Sequence, residues 1–257
     1  MKTISVINEK GGVCKTTTAI NIGELLGRKG YSVLFVDTDP QGNMTRALKE
    51  GGDTASLYTV LKQPETAEAA IKRGVRYKCA LLPSSRELSM VDREIPPEGR
   101  EYRLKQSLAS LAGQFDYCII DTPPALGTLT INALTASESV IIPTSADIFA
   151  LEGIGQLSST IETIKQLTNP SLYIRGILLT RYNKRSVFRS SIAELLEQQA
   201  EALNTRVYKT YIREGVAIPE AHALRKSLFD YAPRSNAAQD YKHLIEEILT
   251  YEQERHI

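Results

Sequence analysis

The sequence predicts an α/β protein, a doubly wound and mostly parallel sheet with helices on both faces, built as a single domain over residues 1–257. Three observations carry that expectation. Short apolar runs alternate along the chain with longer segments of helical period. The apolar runs are nearly continuous, as strands covered on both faces require. A glycine-rich turn, NEKGGVCKTTT at residues 8–18, sits between the first apolar run and the first helical segment.

The strand candidates, in order, are TISVIN (3–8), SVLFVD (32–37), CALLP (79–83), FDYCIID (115–121), SVIIP (139–143) and LYIRGILLT (172–180). Between them lie helical segments. KTTTAINIGELLGRKG (15–30) is closed by Gly30, and GIGQLSSTIETIKQLTNP (153–170) is closed by Asn169-Pro170. KQPETAEAA (62–70) and REIPPEGREY (93–102) read as surface loops. The last helix, 237–253, places Tyr241, Leu244, Ile245, Ile248 and Leu249 on one stripe. A membrane-lying helix would set Lys and Arg against anionic lipid, whereas this polar face carries Glu246, Glu247 and Glu252, so the stripe reads as core packing.

Composition bounds the function. A 42% hydrophobic and 24% charged chain is that of an ordinary globular protein, not a disordered one. The net charge of +1 means that any nucleic-acid contact must come from a local patch. The start MKTISVINEK has no signal-peptide core, and no apolar run is long enough to span a bilayer. Cys14, Cys79 and Cys118 are too few and too far apart for a disulfide framework or a metal knot, so a cytoplasmic location is expected.

The chemistry is concentrated at three strand ends. Aligned on Lys15-Thr16, the general phosphate loop G-x-x-x-x-G-K-[ST] would need glycines at Glu9 and Cys14 and so fails twice. The variant K-G-G-V-x-K-T-T, from Lys10 through Gly11, Gly12, Val13 and Cys14 to Lys15, Thr16 and Thr17, fits. Gly11 and Gly12 let backbone N–H groups turn toward phosphate oxygens, and the following helix offers its positive N-terminus to the same anion. Lys15 can reach β- and γ-phosphates, and the Thr16 hydroxyl can ligate Mg²⁺. VLFVDTDPQGN ends a strand in Asp37 and Asp39, and FDYCIIDTPP ends another in Asp121. In a parallel sheet such residues line the ligand crevice, so Asp121 suits the hydration shell of the metal and Asp39 the attacking water.

EKGGVCKTTTAIN, VLFVDTDPQGN, DYCIIDTPPALGTLTINAL, FALEGIGQL and DYAPRSNAAQDY resemble, in order and spacing over nearly the whole chain, the ParA/Soj partition ATPases of the deviant Walker A class. The order is shared with the MinD-type membrane-cycling regulators and, more distantly, with nitrogenase iron protein. DTDPQGN and ALEG favour ParA, and the acidic last helix and unpaired cysteines disfavour the other two. The resemblance implies a P-loop NTPase fold with ATP and Mg²⁺ as cofactors. Lys15 would be the catalytic lysine, and Lys10 the signature lysine that reaches the partner's phosphates in an ATP-bound homodimer. Thr16 would bind Mg²⁺ directly, with Asp39 and Asp121 acting through water and Asp39 also positioning the hydrolytic water. Thr17 would touch the α-phosphate, and Asn183 and the backbone near Ile212 the adenine. It further implies non-specific DNA binding by the dimer, slow hydrolysis stimulated by a ParB-type centromere-binding partner, and a nucleoid-associated cytoplasmic location without membrane contact.

The sequence departs from the family at three places. Cys14 stands where a glycine precedes the catalytic lysine; a positive φ there would be strained, and Lys10, Lys15 and the helix N-terminus would favour its thiolate. Asn183 replaces a common Asp. Glu214 and Ala217 stand where relatives have arginines implicated in DNA binding. Ten basic residues against six acidic ones still leave +4 between Arg181 and Arg234. Within that segment Lys184, Arg185, Arg189, Lys209, Arg213 and Arg234 are the candidate phosphate contacts, with Arg185 matching an arginine of the family's D-x-R-T element. A merely solvated basic face is the alternative.

Overall fold

In the computed structural model, residues 1–48, 55–183 and 187–255 are described. The strands are β1 (Lys2–Val6), β2 (Val33–Asp37), β3 (Lys72–Arg76), β4 (Cys79–Leu82), β5 (Tyr117–Asp121), β6 (Ser139–Ser145), β7 (Tyr173–Tyr182) and β8 (Ile212–Arg213). The helices are α1 (Lys15–Arg28), α2 (Asn43–Leu48), α3 (Leu57–Lys62), α4 (Ala67–Ala70), α5 (Val91–Glu94), α6 (Arg103–Ala109), α7 (Thr128–Ala136), α8 (Ile148–Leu167), α9 (Val187–Ala202), α10 (Ala217–Ala223), α11 (Leu228–Tyr231) and α12 (Asn236–Arg255). The sheet runs β3-β4-β2-β5-β1-β6-β7-β8. Every pairing is parallel except that of β3 with β4.

Strand residues alternate between two cores, which is how both faces come to be buried. Ile4, Val6, Val33, Phe35, Tyr117 and Ile119 point toward α1 and α12. Leu34, Val36, Cys118 and Ile120 point the other way, toward Leu57, Leu104 and Leu108, and farther along that face Val140, Ile142, Ile177 and Leu179 pack under α8 and α9. A methyl group at Gly23 would sit 2.2 Å from the Phe35 ring, so only glycine lets α1 lie this close to β2. The predicted stripe of the last helix is core. Tyr241, Leu244, Ile245 and Ile248 are buried, and the Tyr241 hydroxyl lies 3.2 Å from that of Thr18 on α1.

All six predicted strands form. β3 escaped sequence reading because KRGVR is polar and half exposed at the sheet edge, and β8 because two residues leave no periodicity. The two predicted surface loops are corrected in part. Residues 64–70 and 100–102 carry short helical turns, and Ala67, Ala70 and Ile95 are buried because small or apolar side chains at these spacings dock on the β2–β4 side of the sheet. Among the described residues no helix is long and apolar enough to cross a membrane.

Candidate active site

β1, β2 and β5 are neighbours in the sheet, so their carboxyl ends bring the loop after Val6, the Asp37–Asp39 turn and Asp121 to one point; Asp37 is the register partner of Asp121. The loop is held from outside. Asn8 donates to the Pro143 carbonyl at 2.9 Å and accepts from the Lys10 N–H at 2.9 Å. The Thr180 hydroxyl, on β7, lies 3.2 Å from both the Val13 and the Thr144 carbonyls, and the Val13 side chain is buried. Gly12 has φ +77°, and a Cβ at Gly11 or Gly12 would meet no atom within 4 Å, leaving an open cradle above the loop.

Cys14 precedes α1 with φ +64°, the left-handed conformation that the missing glycine would favour, so the strain expected from the sequence is present. The expected thiolate is not. Burial pushes the Cys14 thiol above its ordinary range, outweighing Arg181 and the hydrogen bond to Thr180. The lysines that were to activate it are engaged elsewhere: Lys15 Nζ donates to the Lys10 carbonyl at 3.0 Å, and Lys10 Nζ is bonded to Asp147.

The Thr16 hydroxyl donates to Asp121 Oδ2 at 2.6 Å, while Asp121 Oδ1 is buried with no partner. Burial, then the Asp37 carboxylate, pushes Asp121 well above the usual carboxylate range. Asp37 is pushed up to about 6 by burial, against hydrogen bonds from the Thr45 hydroxyl and the backbone of Thr45 and Asp39. Burial also lowers the Lys15 ammonium, partly offset by Asp121 and Asp39. Asp39 Oδ1 accepts from the Gln41 N–H at 2.9 Å. A cationic lysine, a hydroxyl, an orphaned carboxylate oxygen and an unfilled glycine cradle are a donor set for a polyphosphate with one hard divalent cation. Among the described residues no group of three or more His, Cys, Asp or Glu could by itself hold a metal ion, so such a cation would draw ligands from phosphate and water as well.

The cleft over the loop has a volume of about 620 Å³. Of the predicted site residues, Gly11, Gly12, Cys14, Lys15, Thr16, Thr17 and Asp39 line it. Lys10 does not; it is turned to Asp147, over the Phe149 ring at 5.9 Å. Asn183 is exposed after the end of β7, and Ile212 is buried on β8 opposite Thr180; neither borders the cleft. Asn43, Arg46, Pro124, His222 and Arg225 also line it and were missed, as was Asp147. Asp147 had a readable signal, an Asp directly before a periodic apolar run, and its carboxylate caps α8 by accepting from the Phe149 N–H.

The basic segment is weaker than its count. Glu214 pairs with Arg181 at 2.7 Å, and Asp240, from α12, pairs with Arg213 at 2.6 Å. Arg189 donates to the Arg181 carbonyl at 2.5 Å, and Lys209 and Arg234 are exposed. Lys184 and Arg185 lie outside the described residues.

The family model described as an AAA domain matches residues 1–174. The sporulation initiation inhibitor protein Soj of Bacillus subtilis is 39% identical over 96% of this chain and 98% of its own. The chromosome partitioning protein ParA of Caulobacter vibrioides is 36% identical over 99% and 96%. Among solved structures, cobyrinic acid a,c-diamide synthase from Mycobacterium smegmatis with bound ATP analogue and magnesium superposes with a TM-score of 0.81 at 34% identity, over 98% of this chain and 96% of that one. With the phosphate loop and its three strand-end aspartates in place, the chain belongs to the ParA/Soj family of partition ATPases.

Proposed function

We propose that this chain is an ATP-driven switch for DNA segregation, taking ATP and Mg²⁺ in the cleft above Gly11–Thr17. One observation carries the reading: Lys15, Thr16, Asp39 and Asp121 converge from adjacent parallel strands on an open glycine loop. Lys15, now on the Lys10 carbonyl, would hold the β- and γ-phosphate oxygens, and the Thr16 hydroxyl, now on Asp121, would hold the cation, with Asp121 and Asp39 acting on it through water. A bound Mg²⁺ would supply charge neutralisation at the phosphate oxygens. Asp39 orients the attacking water and accepts its proton, and the Asn8 and Thr180 braces keep the loop fixed throughout.

ATP-bound chains pair as a homodimer in which Lys10 reaches the partner's phosphates. The dimer binds DNA without sequence preference, hydrolysis is slow until a ParB-type partner stimulates it, and the chain is nucleoid-associated. Arg189, Lys209 and Arg234, with Lys184 and Arg185, supply the DNA phosphate contacts, and the adenine extends past the edge of the cleft to the ends of β7 and β8, where Asn183 and the Ile212 backbone contact it. A membrane-cycling reading has no support from α12, whose apolar stripe is spent on the core. The test is Mg²⁺-dependent ATP hydrolysis by the wild type and by Lys15→Ala. The variant should be inactive; wild-type turnover in it would sink the site.

A further inference from the structure

A second cavity, of about 850 Å³, lies beside the nucleotide cleft, behind the turn Pro40–Arg46. Arg46 and Arg225 border both cavities, and Arg86 borders the second alone. Its remaining described walls are uncharged and rich in hydroxyls, among them Thr45, Ser84 and Ser89, and among the described residues no carboxylate lines it. Arg46 is held by the Gln41 carbonyl and, at 2.7 Å, by Asn43 Oδ1. Among the described residues no acid lies within ion-pair distance of Arg46, Arg86 or Arg225, whereas Arg28, Arg76, Arg175, Arg181 and Arg213 are all so paired. Glu87, the acid nearest in sequence, spends its carboxylate on its own backbone and the Ser85 hydroxyl while its charge reaches Arg86.

Three unpaired guanidinium groups around one uncharged bay make a site for a tetrahedral oxyanion, which arginine binds through two parallel N–H donors. The bay is also wired to the reaction centre. The Ser84 hydroxyl donates to the Asp39 carbonyl, and the Thr45 hydroxyl accepts from the Ser84 N–H at 2.9 Å while donating to Asp37. The geometry points to this bay as the binding site and exit of the inorganic phosphate released by hydrolysis, which rests on the ATPase reading above. Among the described residues the bay is lined by positive charge and no acid, and Arg46 and Arg225 span its boundary with the nucleotide cleft, which gives the new phosphate a path from one to the other. Product release through such a site can set the turnover rate.

The test titrates inorganic phosphate into the full chain saturated with Mg-ADP, by calorimetry, for wild type, Arg86→Ala and Arg86→Lys. Losing a charged hydrogen-bonding partner should raise the phosphate Kd about tenfold in Arg86→Ala, with part of the affinity recovered in Arg86→Lys. In single-turnover experiments ATP cleavage should keep its wild-type rate while phosphate appearance at a sensor slows. A Kd within twofold of wild type in Arg86→Ala overturns the proposal. Affinity for random-sequence duplex DNA should be unchanged by Arg86→Ala; a loss there with phosphate binding intact would give the arginines to DNA and also overturn it. Phosphate titration needs no hydrolysis, so an inactive wild type would refute the ATPase reading without deciding this one. Arg86 is exposed, and matched thermal unfolding midpoints will show that both variants are folded.

Discussion

Asp147→Asn should tighten the ATP-dependent dimer. In the single chain Asp147 holds Lys10, the lysine proposed above to reach the partner's phosphates, and the Ser145 hydroxyl donates to the same carboxylate at 2.6 Å. Burial raises the Asp147 pKa, but the hydrogen bonds from Lys10 and Ser145 outweigh it and keep the carboxylate below its usual range, hence charged. Lys10 and Asp147 are 40% and 32% exposed, so water and salt screen the pair strongly. A partly exposed, charge-assisted contact of this kind is worth about 1 kcal/mol. Each dimer breaks two of them, so about 2 kcal/mol is recovered by removing the charge, or a roughly 30-fold lower dimer Kd. Asparagine caps a helix as well as aspartate does, so α8 should keep its start. Sedimentation equilibrium with a non-hydrolysable ATP analogue reads the constant directly. A dimer unchanged within twofold, or a weaker one, would refute the view that Asp147 restrains Lys10.

Asp39→Ala should bind ATP and dimerise but lose hydrolysis by roughly 100-fold or more, the usual contribution of a positioned base; phosphate release within twofold of wild type would exclude that role. Cys14→Gly should remain an ATPase and gain about 1 kcal/mol in denaturant unfolding by relieving the left-handed backbone, and Cys14 itself should alkylate more slowly at pH 7.5 than free cysteine because its thiol is held neutral. A destabilised Cys14→Gly or a fast-reacting thiol would contradict this. Asp37 binds its proton more tightly in the folded chain, with a pKa raised to about 6, so it subtracts stability as pH rises from about 4 to 6, by at most about 3 kcal/mol. Glu252 and Asp230, whose pKa values are lowered, act with the opposite sign, at the lower edge of that window and below it, and cancel in the comparison with Asp37→Ala. The unfolding free energy of the nucleotide-free wild type relative to Asp37→Ala should therefore fall across pH 4 to 6; a flat difference would count against the buried acid.

Much of this was legible in the sequence because it rests on local rules. Continuous apolar runs marked the six strands, and the glycine pair before Lys15-Thr16 and the aspartates ending β2 and β5 marked the ligand end of the sheet. The rest depends on contacts distant in sequence. Nothing near Lys10 announces that a residue 137 positions on will hold it. Arg46, His222 and Arg225 reach the cleft only because the α2 and α10–α11 regions fold over it. The reading of Cys14 as a thiolate failed for the same reason: neighbours in sequence are cationic, but their side chains point to Asp147 and the Lys10 carbonyl, leaving burial to decide. The charge count over Arg181–Arg234 likewise could not include Asp240, which the fold supplies to Arg213.

The most direct test of the central claim is an equilibrium DNA-binding measurement on random-sequence duplex, with ATP and Mg²⁺, with ADP and Mg²⁺, and with Lys15→Ala in ATP. Binding should require ATP and an intact Lys15, show no sequence preference, and weaken steeply as salt is raised, because it rests on phosphate contacts alone. DNA binding that is equal in ATP, in ADP and in Lys15→Ala would contradict an ATP-controlled switch.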